Sequence, residues 1–149
     1  MTTFKPLEIK DISFITQMMQ DFYAIDNYPM NIEVTQELFQ EFITNENLGK
    51  SWLIYSENEK VGYFILTFIF SFEYGGKIAF IDELYIKEKF RGKGIGKQAI
   101  QFIQSEVPKL SLKLLYLEVE IHNKNAQKLY IAHDFVIHNR KLMKYKIAK

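Results

Sequence analysis

The sequence predicts an α/β fold with a mixed, mostly antiparallel central sheet flanked by helices. The chain of 149 residues is the length of one domain, and no repeat or linker divides it, so residues 1–149 are assigned to a single domain. Strand-like runs follow one another in the middle of the chain, which is typical of antiparallel pairing. A strand, a glycine-rich loop, a helix and another strand come next, and this unit predicts a parallel pair joined by a right-handed crossover.

Two helices are predicted before the long strands. Asp11 is a candidate cap for a helix that begins at Ile12, because Ile12, Ile15, Met19 and Phe22 recur at helical spacing. A second helix is expected from about Thr35, and Gly49 marks the exit from it. A short strand is expected at residues 7–9.

The remaining elements follow from changes in periodicity. Ser51–Tyr55 and Val61–Phe70 predict a hairpin, and Ile78–Ile86 adds a third strand to an antiparallel meander. Apolar residues after Gly94 then recur at helical spacing as far as Pro108. The last predicted elements are a strand at 112–121, a helix at 125–133, and strands at 136–137 and 143–147.

Composition and charge exclude several classes of protein. The chain has no cysteine, which excludes disulfides, zinc–thiolate sites and a cysteine nucleophile. A net charge of +1 argues against a large nucleic-acid-binding face. The start of the chain lacks the apolar run of a signal peptide, and the apolar run at 61–70 is too short to span a bilayer. We therefore expect a cytoplasmic protein with neither a nucleic-acid nor a membrane partner.

The segment Arg91–Gly96 predicts an anion-binding site. Its three glycines expose the backbone, and it opens a helix whose first amides have no intrahelical acceptors. Arg91, Lys93 and Lys97 add positive charge, so the site suits a phosphate or a pyrophosphate. Neither the P-loop nor the dinucleotide-binding fingerprint fits, because Gln98 and Lys97 occupy positions that those motifs reserve for other residues. The alternative is a structural turn.

Two motifs resemble the GNAT superfamily of N-acetyltransferases. R-x-x-G-x-G, at Arg91, Gly94 and Gly96, is similar to the loop that wraps the pyrophosphate of acetyl-CoA in that family. N-x-x-A-x-x-L-Y, at residues 123–130, resembles the family's second cofactor motif. The order of elements also matches along nearly the whole chain. The sequence departs from the family where Asp134 replaces a frequent glycine, although Asp tolerates a left-handed backbone better than most residues.

The resemblance implies acetyl-CoA as cosubstrate and a defined set of contacts to it. The strand before the loop would pair its backbone with the pantetheine arm, like an added strand. The implied cofactor-binding residues are Leu84, Tyr85, Ile86, Arg91, Gly92, Lys93, Gly94, Ile95, Gly96, Lys97, Asn123, Ala126 and Tyr130. For Asn123 the alternative is a simple helix cap.

Proton transfer indicates the candidate catalytic residues. Acetylation of an ammonium group needs a base, and the absence of cysteine favours direct attack in a ternary complex. The resemblance implies that Tyr130 is the acid at the leaving thiolate; the alternative is a core tyrosine. Asp82 and Glu83 are the candidate bases, with or without a water relay; the alternative is that they form a salt bridge or mark an exposed strand edge. Because adjacent strand residues point to opposite faces, only one of the two acids can face a given cleft unless a bulge intervenes.

The acceptor is expected to be a small cationic amine. The acid pair resembles that of the diamine and polyamine acetyltransferase branch, in which Asp82 matches the glutamate on the substrate side. Acidic and aromatic residues suit such an amine through charge and cation–π contact. The candidate substrate-binding residues are Tyr23, Asp26, Tyr28, Glu73, Tyr74 and Asp82.

Two other functions are alternatives to this interpretation. One alternative is a non-catalytic regulatory module that binds CoA, and another is an enzyme that acetylates a protein or peptide amine. His122, His133 and His138 lack the spacing of metal ligands, so we expect no metal. The resemblance is compatible with a homodimer.

Overall fold

In the residues that the structure describes, the sheet holds five strands that lie side by side in the order of the chain. A computed structural model describes residues 1–148 and divides the chain into two units, residues 1–118 and residues from 119 onward, each of which is described by itself. All five strands belong to the first unit. They are β1 (Thr2–Pro6), β2 (Gly49–Ser56), β3 (Glu59–Ser71), β4 (Gly76–Ile86) and β5 (Leu115–Leu117).

Strand pairing confirms the predicted mixed topology. β1, β2, β3 and β4 pair antiparallel in succession, whereas β4 and β5 pair in parallel. The helix α3 (Ile95–Glu106) lies between the two parallel strands in the chain, as their crossover requires. The meander and the parallel unit are therefore both present in a mostly antiparallel sheet.

Within residues 1–148, four helices accompany the sheet. The first unit contains α1 (Ile12–Ile25), α2 (Ile32–Thr44) and α3 (Ile95–Glu106), the second contains α4 (Lys124–Ala132), and short 3₁₀ turns occupy Ile9–Asp11 and Glu88–Phe90. Asp11 is at the expected cap of α1, but its carboxylate accepts from the backbone of Glu8 at 3.0 Å and makes no capping bond to the helix. α2 begins earlier than expected because Asn31 caps it and accepts from Val34 N at 3.0 Å.

The two faces of the sheet pack against different helices. On one face, buried side chains of α1 and α2, including Ile15 and Phe39, form a core with Leu53 and Tyr63 of the sheet. On the other face, the Phe102 ring of α3 packs against several aromatic side chains of β1, β2 and β3. The alternation of side chains along the strands thus separates the two layers.

Four sequence-based expectations are wrong. The first strand lies at 2–6 and not at 7–9, and the strand expected over 112–121 forms only at 115–117. Among residues 1–148, neither 136–137 nor 143–147 forms a strand. The apolar side chains there, such as Val136 at 87% and Met143 at 90%, are exposed. Alternation marks a segment that is able to pair, whereas a strand also needs a partner.

None of the helices in residues 1–148 is both long and apolar enough to cross a membrane. This finding concerns helices within the described part of the chain alone.

Candidate active site

An irregularity in β4 brings both acidic residues to one cavity. Ile65 on β3 pairs with Glu83, but the next residue, Leu66, pairs with Ile81, so Asp82 is an extra residue in the ladder. Two residues opposite one define a β-bulge, which redirects side chains locally. Asp82 and Glu83 consequently line the same cavity, although adjacent strand residues ordinarily point to opposite faces.

The cavity lies where α1, α2 and the β3–β4 pair meet. Its volume is about 340 Å³. The lining residues are Met19, Tyr23, Pro29, Met30, Asn31, Val34, Thr35, Leu38, Phe39, Phe42, Ile65, Thr67, Asp82 and Glu83. A second cavity of about 380 Å³ contains Lys50 and Lys77 but none of the predicted site residues.

Two tyrosine hydroxyls hold the Glu83 carboxylate. Tyr23 on α1 donates to Oε2 at 2.6 Å, and Tyr63 on β3 donates to Oε1 at 2.7 Å. Burial raises the pKa of Glu83, the two donated hydrogen bonds lower it, and the nearby charge of Asp82 raises it further; the result is a raised pKa. Burial and the Glu83 carboxylate together raise the pKa of both phenols, so both remain protonated donors.

Asp82 differs from Glu83 in its surroundings. Asp82 is exposed, whereas Glu83 is partly buried. Loss of hydration nevertheless raises the pKa of the Asp82 carboxyl. An accessible carboxylate with a raised pKa is suited to accept a proton from a molecule in the cavity.

The glycine-rich loop has open space beside its backbone. Gly92 and Gly94 have φ angles of 75° and 82°, in the left-handed region that favours glycine. A Cβ atom at either position would meet no atom of the chain within 4 Å. Gly94 directly precedes Ile95, the first residue of α3. The N-terminus of a helix favours the binding of anions. Accessible amides and open space fit a pyrophosphate group.

Arg91 connects this loop to the end of β4. Its Nε donates to the carbonyl oxygen of Ile86 at 2.8 Å. Its guanidinium carbon lies 5.7 Å from the ring centre of Tyr85, which is a cation–π distance. Arg91 therefore fixes the start of the loop in addition to contributing charge.

The parallel ladder between β4 and β5 is short. It joins residues 79–81 to residues 115–117, while β4 continues to Ile86. Within the described first unit, the edge of β4 at Leu84–Ile86 thus extends beyond its pairing with β5. An extended group can add to such an edge as a strand does. This fits the expected contact with a pantetheine arm.

The second unit carries the other predicted cofactor residues. Asn123 caps α4, and its Oδ1 accepts from Ala126 N at 3.1 Å. Tyr130 lies on α4 with its ring 5.7 Å from that of Phe135, and burial raises its pKa. Asp134 has a φ of 71°, the left-handed conformation expected where the family often has glycine. The roles of Asn123, Ala126 and Tyr130 toward acetyl-CoA stay predictions.

Four predicted substrate residues do not line the cavity formed by the described residues. Asp26 follows the end of α1, and the Tyr28 ring meets that of Tyr23 edge-on, with 6.5 Å between their centres. Glu73 and Tyr74 lie in the β3–β4 turn, where Tyr116 donates a hydrogen bond to the Tyr74 hydroxyl at 3.2 Å. Their contact with a substrate stays a prediction.

Tyr63 is a site residue that the sequence does not reveal. It lies within the apolar run at 61–70 and is fully buried, so its pattern is that of a core residue. The available signal was the polar tip of a tyrosine, since a buried tyrosine hydroxyl needs a hydrogen-bond partner. Its partner, Glu83, is the more buried of the two acids in the cavity.

A match to a family model identifies the protein family of this chain. A model of the acetyltransferase (GNAT) family matches residues 15–135. The chain belongs to this family. It is therefore an acyltransferase, of a family that uses acetyl-CoA. The resemblance to the diamine and polyamine branch stays a prediction.

The proteins to which this chain is similar are consistent with its assignment to the family. This GNAT chain is 25% identical over 131 residues, 85% of its length and 80% of the relative, to D-amino-acid N-acetyltransferase HPA3 of Saccharomyces cerevisiae. An integron cassette protein from the Cole Harbour Salt Marsh metagenome shares the fold with a TM-score of 0.88 and 27% identity, over 98% of this chain and 91% of that one.

A third comparison supports the fold alone. A predicted acetyltransferase with acetyl-CoA from Clostridium acetobutylicum superposes with a TM-score of 0.78 and 19% identity. The superposition covers 97% of this chain and 96% of the Clostridium chain. The fold is thus shared with a protein of low sequence identity.

Proposed function

We propose that this GNAT protein transfers the acetyl group of acetyl-CoA to the primary amine of a small cationic metabolite, by direct attack in a ternary complex. The observation that carries the proposal is the bulge at Asp82, which brings two carboxylates to one cavity. Carboxylates attract an ammonium group and can accept its proton. The yeast relative is named a D-amino-acid N-acetyltransferase, which supports an amine acceptor.

The cosubstrate is held by the glycine-rich loop and the edge of β4. The loop at 91–97 receives the pyrophosphate, and Leu84–Ile86 pair with the pantetheine arm. Asn123, Ala126 and Tyr130 contribute further contacts. When bound, acetyl-CoA supplies an activated acyl group as a thioester.

The two acids have different roles in the proposed mechanism. Glu83, fixed by two phenols, binds the positive charge of the acceptor, and Asp82 takes the proton directly or through one water molecule. The free amine then attacks the thioester carbonyl carbon, so that a C–N bond forms and the C–S bond breaks. The departing thiolate receives a proton from Tyr130, and the second proton that the acceptor nitrogen loses as the amide forms returns to the Tyr130 phenolate. The products are the acetylated amine and CoA.

Release of the CoA thiol over a panel of amines tests this function. The panel contains polyamines, amino acids, aminoglycosides and peptides, each with acetyl-CoA. We expect release with at least one small amine, and loss of release in Asp82→Asn but not in the control Tyr55→Phe, which lies on β2 outside the cavity.

The other outcomes separate the alternatives. Release with peptides alone would support acetylation of a protein amine. Binding of acetyl-CoA without release from any amine would support a regulatory module. If acetyl-CoA neither binds nor raises the melting temperature, the proposed function is wrong.

A further inference from the structure

The cavity that holds Asp82 and Glu83 is otherwise mainly apolar. Helix α2 supplies four of the apolar lining residues together with the polar Thr35. The apolar lining residues are Met19, Pro29, Met30, Val34, Leu38, Phe39, Phe42 and Ile65. Val34 and Leu38 are 49% and 57% exposed, so a bound molecule would cover apolar surface that water now contacts.

The polar groups of the cavity are few, and some are already engaged. The Tyr23 hydroxyl donates to Glu83, and the Asn31 side chain accepts from Val34 N as a helix cap. Among the described lining residues there is no Lys, Arg or His, and no carboxylate apart from the adjacent Asp82 and Glu83. The cavity therefore has a single anionic locus.

This distribution of polarity discriminates between acceptor amines. One ammonium group pairs with Asp82 and Glu83, but a second would meet mainly methyl, thioether and phenyl groups, with the neutral side chains of Thr35 and Thr67 and no counter-charge. An unpaired charge in apolar surroundings is strongly disfavoured. An alkyl or aryl body gains from the same surroundings. The volume of about 340 Å³ also suits a small ligand.

We infer that the acceptor is a primary monoamine with an apolar alkyl or aryl body, its ammonium group at Asp82 and Glu83 and its body against α2. This inference rests on the proposed function and narrows it. It also distinguishes this chain from an enzyme for polyamines, because the second ammonium group of such an acceptor would find no further carboxylate among the described lining residues.

Matched amines test the inference by kcat/KM for CoA release. The series runs from propylamine to hexylamine, each paired with the diamine of equal carbon number, and 2-phenylethylamine represents an aryl body. We expect kcat/KM to rise roughly fourfold per added methylene until the cavity is filled. We also expect each monoamine to exceed its diamine by at least about tenfold.

A variant with a second acid provides the converse test. Leu38→Glu places a carboxylate on the apolar wall, and we expect it to shift the ratio of diamine to monoamine turnover at least about tenfold toward the diamine. Gln40→Glu adds the same charge to α2 outside the lining and should leave the ratio unchanged. Val34→Glu serves as a second wall variant if circular dichroism shows that Leu38→Glu does not fold.

The results distinguish failure of the proposed function from failure of this inference alone. If no amine releases CoA, the proposed function is wrong and this inference falls with it. If diamines equal or exceed monoamines while CoA is released, the inference alone is wrong. An unchanged ratio in a folded wall variant would also overturn it, because the apolar body would then not lie against α2.

Discussion

The hydroxyl of Tyr63 donates a 2.7 Å hydrogen bond to Oε1 of Glu83. Tyr63 is 0% exposed and lies on the strand next to β4. Its bond fixes one oxygen of the carboxylate, while Tyr23 of α1 fixes the other. Helix and sheet thus set the orientation of one acid together. The charge of that acid is held in place by donors that do not ionise in the working pH range.

The first prediction concerns Tyr63→Phe. Removal of the donor takes away a hydrogen bond that lowers the pKa of Glu83, so this pKa should rise further. Because the acid pair acts in its ionised form, the acid limb of kcat/KM should move to higher pH. The unsatisfied carboxylate oxygen should cost about 1–3 kcal/mol of unfolding free energy. A pH–rate profile and urea unfolding measure both effects. The control Tyr55→Phe should leave the acid limb of the pH–rate profile unchanged. An unchanged acid limb in Tyr63→Phe would contradict the proposed effect of Tyr63 on the pKa of Glu83.

The second prediction separates the two acids. Asp82→Asn should lower kcat by about 10²–10⁴, because it removes the proposed base. Glu83→Gln should mainly raise KM for the amine. In the wild-type protein, activity should fall as the pH drops through the raised pKa values of the pair, since protonation removes both the base and the charge. Steady-state kinetics from pH 5 to 9 would show this limb. If Asp82→Asn kept the kcat of the wild-type protein, the proton acceptor would be Glu83 or a water molecule.

The third prediction concerns Tyr130 as the proposed acid. Tyr130→Phe should lower kcat by about 10²-fold with little change in the affinity for acetyl-CoA, because the ring is kept and only the hydroxyl is lost. Isothermal titration and single-turnover rates measure the two quantities. Tyr145→Phe, at a tyrosine that is 90% exposed, is the control. A large loss of cofactor affinity would instead indicate a binding role.

The fourth prediction concerns charge at the glycine-rich loop. Lys93→Ala and Lys97→Ala should each weaken CoA binding and make it less sensitive to salt, because exposed charges attract phosphates through a screened field. Affinities measured at two ionic strengths provide the test. Lys10→Ala removes an exposed lysine that pairs with Glu8, and it should change neither quantity. Equal effects in all three variants would argue against a local anion site.

The fifth prediction concerns the contact between β3 and β4. A Cβ atom at Gly62 would lie 2.1 Å from the carbonyl oxygen of Tyr85, so Gly62→Ala must push the strands apart. We expect a loss of about 1–3 kcal/mol or more in unfolding free energy. Gly75→Ala adds a methyl group in open space at a φ of 81° and tests backbone strain alone. If Gly75→Ala were the more damaging of the two, the steric explanation would be wrong.

Local signals account for what the sequence predicted well. The spacing from Ile12 to Phe22 gave the first helix, and the change of period after Gly94 gave the third. The apolar run at 61–70 lies within β3. Such signals depend on neighbours in the chain, and so they can be read before the fold is known.

Features that depend on tertiary contacts were missed. No periodicity marks Asp82 as an extra residue, since its bulge exists only relative to β3. The same holds for Tyr63, whose hydroxyl acquires a role through an acid 20 residues away in the chain. The segment at 143–147 is the opposite case. Its apolar and polar residues alternate as they do in a strand, but it forms no strand in the described residues.

The bulge at Asp82 has a consequence for protein engineering. Deletion of this one residue would let β3 and β4 pair without interruption, which is the arrangement that strand pairing alone favours. The same deletion would remove the proposed base. A library selected only for heat resistance should therefore accumulate shortened, more rigid and inactive chains, whereas a library selected for turnover should retain the irregular strand.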